Sequence, residues 1–154
     1  MAAAGENLSV AAISSDVSSF YEKNPYPPPV GDLKSYAQKW DDARRLADSS
    51  LFWPLAPMRD ARTILVAGCG TSQAAKYAMR WPNARVTGID FSSASITETI
   101  RLKRQHGLNN LEALQLPIER LADLGRDFDQ VVCTGVLHHL ADPQLGLRLL
   151  RDVL

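Results

Sequence analysis

Two glycines and an aspartate, each at the end of a short apolar segment, are the residues of this sequence whose types and spacing could do chemistry. Gly68 and Gly70 follow the apolar residues 64–67, and Asp90 lies 20 positions after Gly70. Glycine lets a backbone come close to a ligand, and the free N–H groups of a following helix attract an anionic or nucleotide-like group. A carboxylate at the next strand end can accept hydrogen bonds from both hydroxyls of a ribose. The pattern therefore predicts a nucleoside site.

Each of these features also has a purely structural interpretation. The glycine pair could form only a tight turn, and Asp90 could end a strand and cap the next helix. A third glycine three positions after Gly70 would indicate a dinucleotide, but Gln73 stands there and would crowd a pyrophosphate. A domain of an NAD-type oxidoreductase is therefore an alternative that the spacing supports less well.

The elements that would position these residues alternate between strand and helix, which is the pattern of βαβ units and a parallel sheet. We predict strands at 63–67, 85–90, 111–116 and 128–133, and helices at 72–81, 92–107 and 143–154. A short polar connection joins the third and fourth strands. The fold class is therefore α/β.

The chain before the first strand divides into two parts. Residues 1–19 are rich in Ala and Ser and are expected to form a disordered tail. Residues 20–60 combine an aromatic and proline-rich strap with a cover helix at 32–48, and residues 61–154 form the binding domain. Four prolines in positions 25–29 forbid a helix there. The strap either packs on the domain or covers the ligand as a lid.

Composition limits the partners and the location. The 154 residues fit one domain, and Lys+Arg and Asp+Glu both number 17, so charge gives no case for nucleic acid or an anionic membrane. No apolar segment approaches the ~20 residues of a membrane span. Cys69 and Cys133, the two cysteines, lie in or beside predicted buried strands and are therefore expected to be reduced thiols of a cytoplasmic protein. No metal-ligand spacing accompanies them, so metal binding is not expected.

Three motifs in order resemble the class I S-adenosylmethionine-dependent methyltransferases. They are Ile-Leu-Val-Ala-Gly-Cys-Gly-Thr at 64–71, Val-Thr-Gly-Ile-Asp at 86–90, and the segment 128–143 with Gly-Val-Leu-His-His-Leu-Ala-Asp-Pro. The Asn-Pro-Tyr-Pro segment at 24–27 is similar to a strap found in bacterial members. The resemblance covers residues 20–154. It implies a Rossmann-like, doubly wound parallel sheet, here incomplete with about four strands, and S-adenosylmethionine as cofactor.

The resemblance also implies roles for individual residues. Asp90 would hold the ribose hydroxyls with Phe91 against the adenine, and residues 116–119 would border the adenine edge. The full implied cofactor set is Gly68, Cys69, Gly70, Thr71, Asp90, Phe91, Pro117, Ile118, Glu119, Thr134 and Gly135. Tyrosine faces suit a sulfonium cation, so Tyr21 or Tyr26 could cover it.

The acceptor side would begin at residues 136–139, and no catalytic residue is assigned. Neighbouring positions of a helix point apart, so His138 and His139 are not expected to share a metal. His138 as a general base is an alternative to a structural role. The sequence departs from the family at Val66, Ser72 and Pro117, and Glu119 could stand in for the acid that often follows the third strand.

The sheet of the family has seven strands, whereas this sequence ends at Leu154 in the helix after the fourth. We therefore expect 128–133 to be an unpaired edge that recruits a second copy or a partner chain. The expected activity is methyl transfer to an unidentified acceptor, either a small molecule or a protein. The alternative is a non-catalytic, cofactor-binding fragment that needs a partner.

Overall fold

A single parallel sheet forms the centre of the molecule in the computed structural model, which describes residues 15–55 and 62–154. Its strands are β1 (Thr63–Ala67), β2 (Arg85–Asp90), β3 (Leu111–Gln115) and β4 (Gln130–Cys133), in the order β3-β2-β1-β4. Ile64 of β1 is paired with Val86 of β2 on one side and with Gln130 of β4 on the other. The predicted α/β fold with four parallel strands is confirmed.

Helices cover this sheet and precede it. In the described residues they are α1 (Ser15–Lys23), α2 (Lys34–Ala37), α3 (Asp42–Phe52), α4 (Gln73–Arg80), α5 (Ser93–His106) and α6 (Pro143–Arg151), with two 3-10 helices, η1 (Ile118–Leu124) and η2 (Leu137–His139). None of these helices is long and apolar enough to cross a membrane.

Successive residues of β1 enter two different cores, because side chains of a strand alternate between its faces. Ile64 and Val66 pack with residues of α4 and α5 on one face of the sheet. Leu65 and Ala67 pack with η1 and α6 on the other. Both faces are covered, which explains why β1 is an unbroken apolar segment and why the sheet is doubly wound.

The chain before β1 differs from the prediction in two places. Helix α1 begins at Ser15, inside the expected tail of residues 1–19, and extends into the expected strap; residues 1–14 lie outside the described part. The prediction of a single cover helix at 32–48 is wrong, because α2 and α3 are separate helices. The side chain of Asp41 accepts the N–H of Arg44 at 2.8 Å and so starts a second helix, which continues past Asp48 to Phe52.

The connection before β4 also differs from the prediction. It was expected to be a short polar segment, but it contains η1, whose Ile118 and Leu121 are buried in the second core. The strand expected at 128–133 begins at Gln130, because the N–H of Phe128 donates to the carbonyl of Val153 at 2.7 Å. The loop before β4 is thereby held against the end of α6.

Packing between β2 and α4 gives the first testable prediction. A Cβ added at Gly88 would lie 2.5 Å from Cβ of Ala74 and 3.1 Å from Sγ of Cys69. We expect Gly88→Ala to lower the free energy of unfolding by about 1–3 kcal/mol, the usual cost of overpacking. Urea denaturation measures this change in the free energy of unfolding. In the control Gly31→Ala the new Cβ meets nothing within 4 Å; equal losses in both variants would contradict this contact.

Candidate active site

A pocket of about 430 Å³ lies at the carboxyl ends of β1, β2 and β4. Strands β2 and β3 lie on one side of β1 and β4 on the other, so the strand order reverses beside β1. In doubly wound sheets this reversal opens a crevice in which ligands bind. The predicted residues of the three strand ends line the pocket together: Gly68, Cys69, Gly70, Asp90, Phe91, Thr134 and Gly135.

Asp90 joins the tip of β2 to the loop after β1. Its Oδ2 accepts the N–H of Gly70 at 2.8 Å, and its Oδ1 accepts the N–H of Ser92 at 2.9 Å. Burial raises the pKa of this carboxyl, and the two backbone hydrogen bonds oppose that rise. Each carboxylate oxygen can accept two hydrogen bonds, so one position per oxygen remains for a ligand hydroxyl. Asp90 therefore holds the residue that caps α5, while its role toward a ribose stays a prediction.

The loop after β1 needs glycine for two separate reasons. Gly68 and Gly70 have φ of +65° and +54°, in the left-handed region that disfavours other residues. A Cβ at Gly68 would lie 2.3 Å from Cγ2 of Val136, so the loops after β1 and β4 are in contact. A Cβ at Gly70 would lie 2.4 Å from the carbonyl oxygen of Tyr26, so Gly70 has no side chain because the strap crosses it.

The strap is anchored at both sides of the pocket. Thr71, which does not line the pocket, is fully buried, and its Oγ1 donates to the carbonyl of Pro27 at 2.7 Å. The carboxylate of Glu22 accepts the N–H of Ser93 at 2.6 Å and its hydroxyl at 2.9 Å. Partial burial raises the pKa of Glu22, but the hydrogen bonds from Ser93 outweigh it and the pKa is lowered. The strap therefore packs on the domain and also borders the pocket.

Both predicted lid tyrosines line the pocket, with different surroundings. Tyr26 is 68% exposed. The ring of Tyr21 stands edge-on to Phe91 and to His139, and its hydroxyl lies 3.1 Å from Nε2 of His139. Burial, with the neighbouring His138, lowers the pKa of His139, which keeps its imidazole neutral near pH 7. Tyr21 is thus held between Phe91 and His139.

Some of the remaining predicted residues line the pocket and others do not. Pro117 and Ile118 line the pocket beside Phe91, whereas Glu119 does not. Neither carboxylate oxygen of Glu119 has a hydrogen-bond partner among the described residues. His139 lines the pocket, but His138 is exposed outside it. Burial, and secondarily the charge of Asp90, raises the pKa of the Cys69 thiol strongly, which makes it an unreactive wall rather than a nucleophile.

One wall of the pocket was missed by the sequence analysis. Its residues come from helix α4 and from α2, and they are Gln73, Lys76, Tyr77, Arg80 and Tyr36. The four on α4 recur at helical spacing directly after the glycine turn, on the stripe opposite the small residues that pack on the sheet. That polar and aromatic stripe was the available signal.

The residues present fit S-adenosylmethionine. Phe91, Pro117 and Ile118 give an apolar wall for adenine, and Asp90 has free acceptor positions for a ribose. Ser72 is fully buried and lines the pocket, but its hydroxyl has no partner among the described residues. A buried hydroxyl without a partner indicates a missing ligand group.

Comparison with known proteins gives relatives in sequence. Residues 65–154 match the family model described as a methyltransferase domain. An uncharacterized protein of Synechococcus sp. is 33% identical over 148 residues, which cover 93% of this chain and 35% of the relative. A ubiquinone biosynthesis O-methyltransferase of Bordetella avium is 34% identical over 98 residues, covering 61% of this chain and 39% of the enzyme. The chain thus spans just over a third of these relatives.

Solved structures show the same fold. PKMT2 of Rickettsia typhi matches with a TM-score of 0.62 and 25% identity, over 84% of this chain and 25% of that protein. The N-terminal domain of EvdMO1, solved with S-adenosylhomocysteine bound, matches with a TM-score of 0.59 and 25% identity, over 73% of this chain and 46% of that domain. The [4+2]-cyclase SpnF matches with a TM-score of 0.64 and 19% identity. The match covers 94% of this chain and 58% of the cyclase, and it shows the fold alone.

Contact between the strap and the glycine loop gives the second prediction. Gly70→Ala must push against the backbone of Tyr26 and Pro27, so we expect the strap to detach and binding of S-adenosylhomocysteine to be lost. Hydrogen exchange in peptides spanning residues 20–33 should rise. Gly125→Ala is the control, because its φ of +58° is equally strained but its Cβ meets nothing within 4 Å. An unchanged exchange rate in Gly70→Ala would refute the contact.

The glycine loop, the acid at the tip of β2 and the end of β4 meet in one pocket, in the order that the sequence motifs predict. The family match begins in β1 and runs over more than half of the chain. The comparisons also decide between the two cofactors that the glycine turn left open, in favour of S-adenosylmethionine. This chain belongs to the methyltransferase domain family, as a class I S-adenosylmethionine-dependent member.

Proposed function

We propose that this chain binds S-adenosylmethionine across the ends of β1, β2 and β4 and directs its methyl group to a nucleophilic acceptor. One observation carries the proposal. The buried carboxylate of Asp90 is fixed by the N–H groups of Gly70 and Ser92, and it lines the pocket with free acceptor positions. A carboxylate in this state binds neighbouring hydroxyls strongly, because hydrogen bonds to a charged group exceed those between neutral groups.

Different residues of the chain would contact different parts of the cofactor. Phe91, Pro117 and Ile118 would enclose the adenine, and Asp90 would orient the ribose. The glycine loop would lie under the methionyl carbons, where any side chain at Gly68 would meet Val136. Thr134 and Gly135, both exposed at the mouth, would border the sulfonium.

When bound, the cofactor supplies a methyl group on a positively charged sulfur: a lone pair of the acceptor forms the new bond to carbon, and the electron pair of the broken C–S bond returns to sulfur. The protein's contribution is alignment and exclusion of water. Tyr21 and Tyr26 line the pocket and would limit the access of water, and His139 lines it with a pKa that burial lowers. We assign no catalytic residue.

The acceptor class stays open within this proposal. The Bordetella avium relative is named as an O-methyltransferase, and a relative from Papaver bracteatum is named as a probable N-methyltransferase. Oxygen and nitrogen nucleophiles of small molecules or proteins are both compatible with the open mouth. We place the reaction in the cytoplasm, since Cys69 and Cys133 are free thiols.

Asp90 provides the direct test of cofactor binding. We expect the wild-type chain to bind S-adenosylhomocysteine in calorimetry and Asp90→Ala to lose about 1.5–3 kcal/mol of binding free energy, the scale of hydrogen bonds to a charged group. Asp127→Ala, at an exposed aspartate outside the pocket, is the control. Circular dichroism verifies that Asp90→Ala is folded. Equal affinities in wild type and Asp90→Ala would show that Asp90 does not contact the ligand, and would contradict the proposal.

The free edge of β4 supports a further part of the proposal, which concerns partners. Within residues 15–55 and 62–154, β4 pairs with β1 on one side only, and all four of its residues are partly exposed. Unpaired strand edges add strands from other chains. We infer that this edge pairs with a second copy or with a partner chain, which would also complete the acceptor wall. The non-catalytic alternative corresponds to a chain that binds cofactor and transfers methyl only in that assembly.

Light scattering and hydrogen exchange test this edge. We expect a solution mass above the 16.9 kDa of one chain and slow exchange of the amides of residues 130–133 in the assembled form. A panel of acceptors from cell extract, with release of S-adenosylhomocysteine as readout, measures turnover. A monomer with robust turnover contradicts the inference, as does an assembly in which the amides of residues 130–133 still exchange fast.

A further inference from the structure

A hydrogen-bonded pair of side chains from two distant parts of the chain lies in the wall of the pocket. Tyr21 of α1 and His139 of η2 both line it, and the tyrosine hydroxyl lies 3.1 Å from Nε2 of the imidazole. The two rings stand edge-on, with their centres 5.4 Å apart. Tyr21 precedes residues 65–154, which match the methyltransferase domain family. The pair is therefore a feature that the preceding segment adds to that domain.

Packing of the ring, rather than the bond of its hydroxyl, holds Tyr21 in place. Its ring centre lies 6.1 Å from that of Phe91 and 5.5 Å from that of Phe20, edge-on in both pairs. The next residue, Glu22, accepts two hydrogen bonds from Ser93 and so fastens α1 to the start of α5. Because none of these contacts uses the tyrosine oxygen, a phenylalanine can replace Tyr21 with the loss of the hydroxyl alone.

His139 is the partner that can take a proton. In residues 15–55 and 62–154, no carboxylate forms an ion pair with it. The titratable groups that face it there are Tyr21 and the neighbouring His138, whose ring centre lies 3.9 Å away. Burial, and secondarily the charge of His138, lowers the pKa of His139 below its usual range. At neutral pH the imidazole is therefore unprotonated and has a lone pair for a proton.

The composition of the surrounding wall restricts the kind of acceptor. Asp90 is the single carboxylate among the described residues that line the pocket, and the wall beside His139 is uncharged, with Thr134, Gly135, Val136 and Leu140. An amine is protonated at neutral pH, and this wall has no carboxylate to bind it in that form. A phenol has a pKa of about 10, close enough to that of an imidazole for proton transfer as the new bond forms.

We propose that the methyl acceptor is a phenolic hydroxyl and that Tyr21 and His139 together accept its proton. This rests on the proposed function, because the cofactor must be bound beside them. As the phenol oxygen bonds to the methyl carbon and the C–S electron pair returns to sulfur, the phenol proton passes to Oη of Tyr21. The tyrosine proton passes to Nε2 of His139, whose own proton is on Nδ1. One positive charge thus moves from sulfur to the imidazole. Tyr21 contacts the acceptor, and His139 acts through it.

Two phenols of different acidity test this proton transfer. Phenol itself is protonated at mildly alkaline pH, whereas 4-nitrophenol is largely ionised there and has no proton to lose. With release of S-adenosylhomocysteine as readout, we expect Tyr21→Phe and His139→Gln to slow transfer to phenol about a hundredfold, the scale of general base catalysis. Transfer to 4-nitrophenol should be nearly unchanged, and so should the affinity of both variants for S-adenosylhomocysteine in calorimetry.

The pH dependence separates proton transfer from a structural role of the pair. Transfer to phenol by the wild-type chain should fall as the pH decreases through the pKa of His139, because an imidazolium ion cannot take a proton. His138→Gln is the matched variant, since this imidazole is exposed outside the pocket and its charge lowers the pKa of His139. It should keep the rate at alkaline pH and move the fall to higher pH.

A titration of His139 followed by NMR gives a readout that needs no turnover. If the tyrosine hydroxyl donates to Nε2, it stabilises the neutral imidazole, so Tyr21→Phe should raise the pKa of His139. An unchanged or lower pKa would contradict that direction of the hydrogen bond and, with it, the proposed path of the proton.

The choice of acceptors keeps the two proposals apart. A tyrosine-containing peptide beside phenol shows whether the hydroxyl belongs to a protein or to a small molecule, and benzylamine is the nitrogen counterpart. Equal losses with phenol and 4-nitrophenol, or transfer to benzylamine alone, would overturn the phenol assignment. A chain that binds S-adenosylhomocysteine but methylates neither the phenols nor the peptide would overturn it as well. If the chain does not bind S-adenosylhomocysteine, the proposed function itself fails.

Discussion

A buried carboxylate that is held by two backbone N–H groups determines the shape of this site. Asp90 receives the N–H of Gly70 from one loop and that of Ser92 from another, so it ties the end of β1 to the beginning of α5. Burial raises the pKa of this carboxyl, and the two N–H donors oppose that rise. One side chain that lines the pocket thus holds both the loop after β1 and the residue that caps α5.

Much of the fold was accessible from the sequence because its signals are local. Residues 64–67 of β1 have no polar interruption, since both faces of the strand are buried. Asp142 followed by Pro143 marks the start of α6, where the carboxylate accepts the N–H of Leu145 at 2.9 Å. The predictions were wrong where contacts between distant parts of the chain determine the local structure. Helix α1 is held by Glu22 on Ser93, a pairing across 71 positions that no local pattern reveals. The connection before β4 was interpreted as polar, yet Ile118 and Leu121 of η1 are buried in the second core with residues of α6.

The site shows the same division between local and distant signals. The glycines, Asp90 and the end of β4 were found because each follows a strand, and a parallel sheet brings such ends together. The pocket wall formed by α4 was missed because its polar stripe shares a helix with the alanines that pack on the sheet, and only the packing face was interpreted. Glu119 was included from resemblance, but η1 carries it away from the pocket. The likeness to a [4+2]-cyclase shows that this architecture alone does not specify a reaction.

The strap contacts three elements that also form the pocket: the glycine loop through Thr71, the start of α5 through Glu22, and η2 through Tyr21. Each of these contacts joins two parts of the chain itself, so the protein's own residues hold the strap over the pocket. A molecule seated beneath Tyr26 and Pro27 leaves only when some of those bonds open. In the proposed binding mode, residence time and selectivity would therefore depend on different residues. Substitutions at the strap's anchors would alter how long the cofactor stays, while substitutions of Asp90 would alter which molecules are accepted.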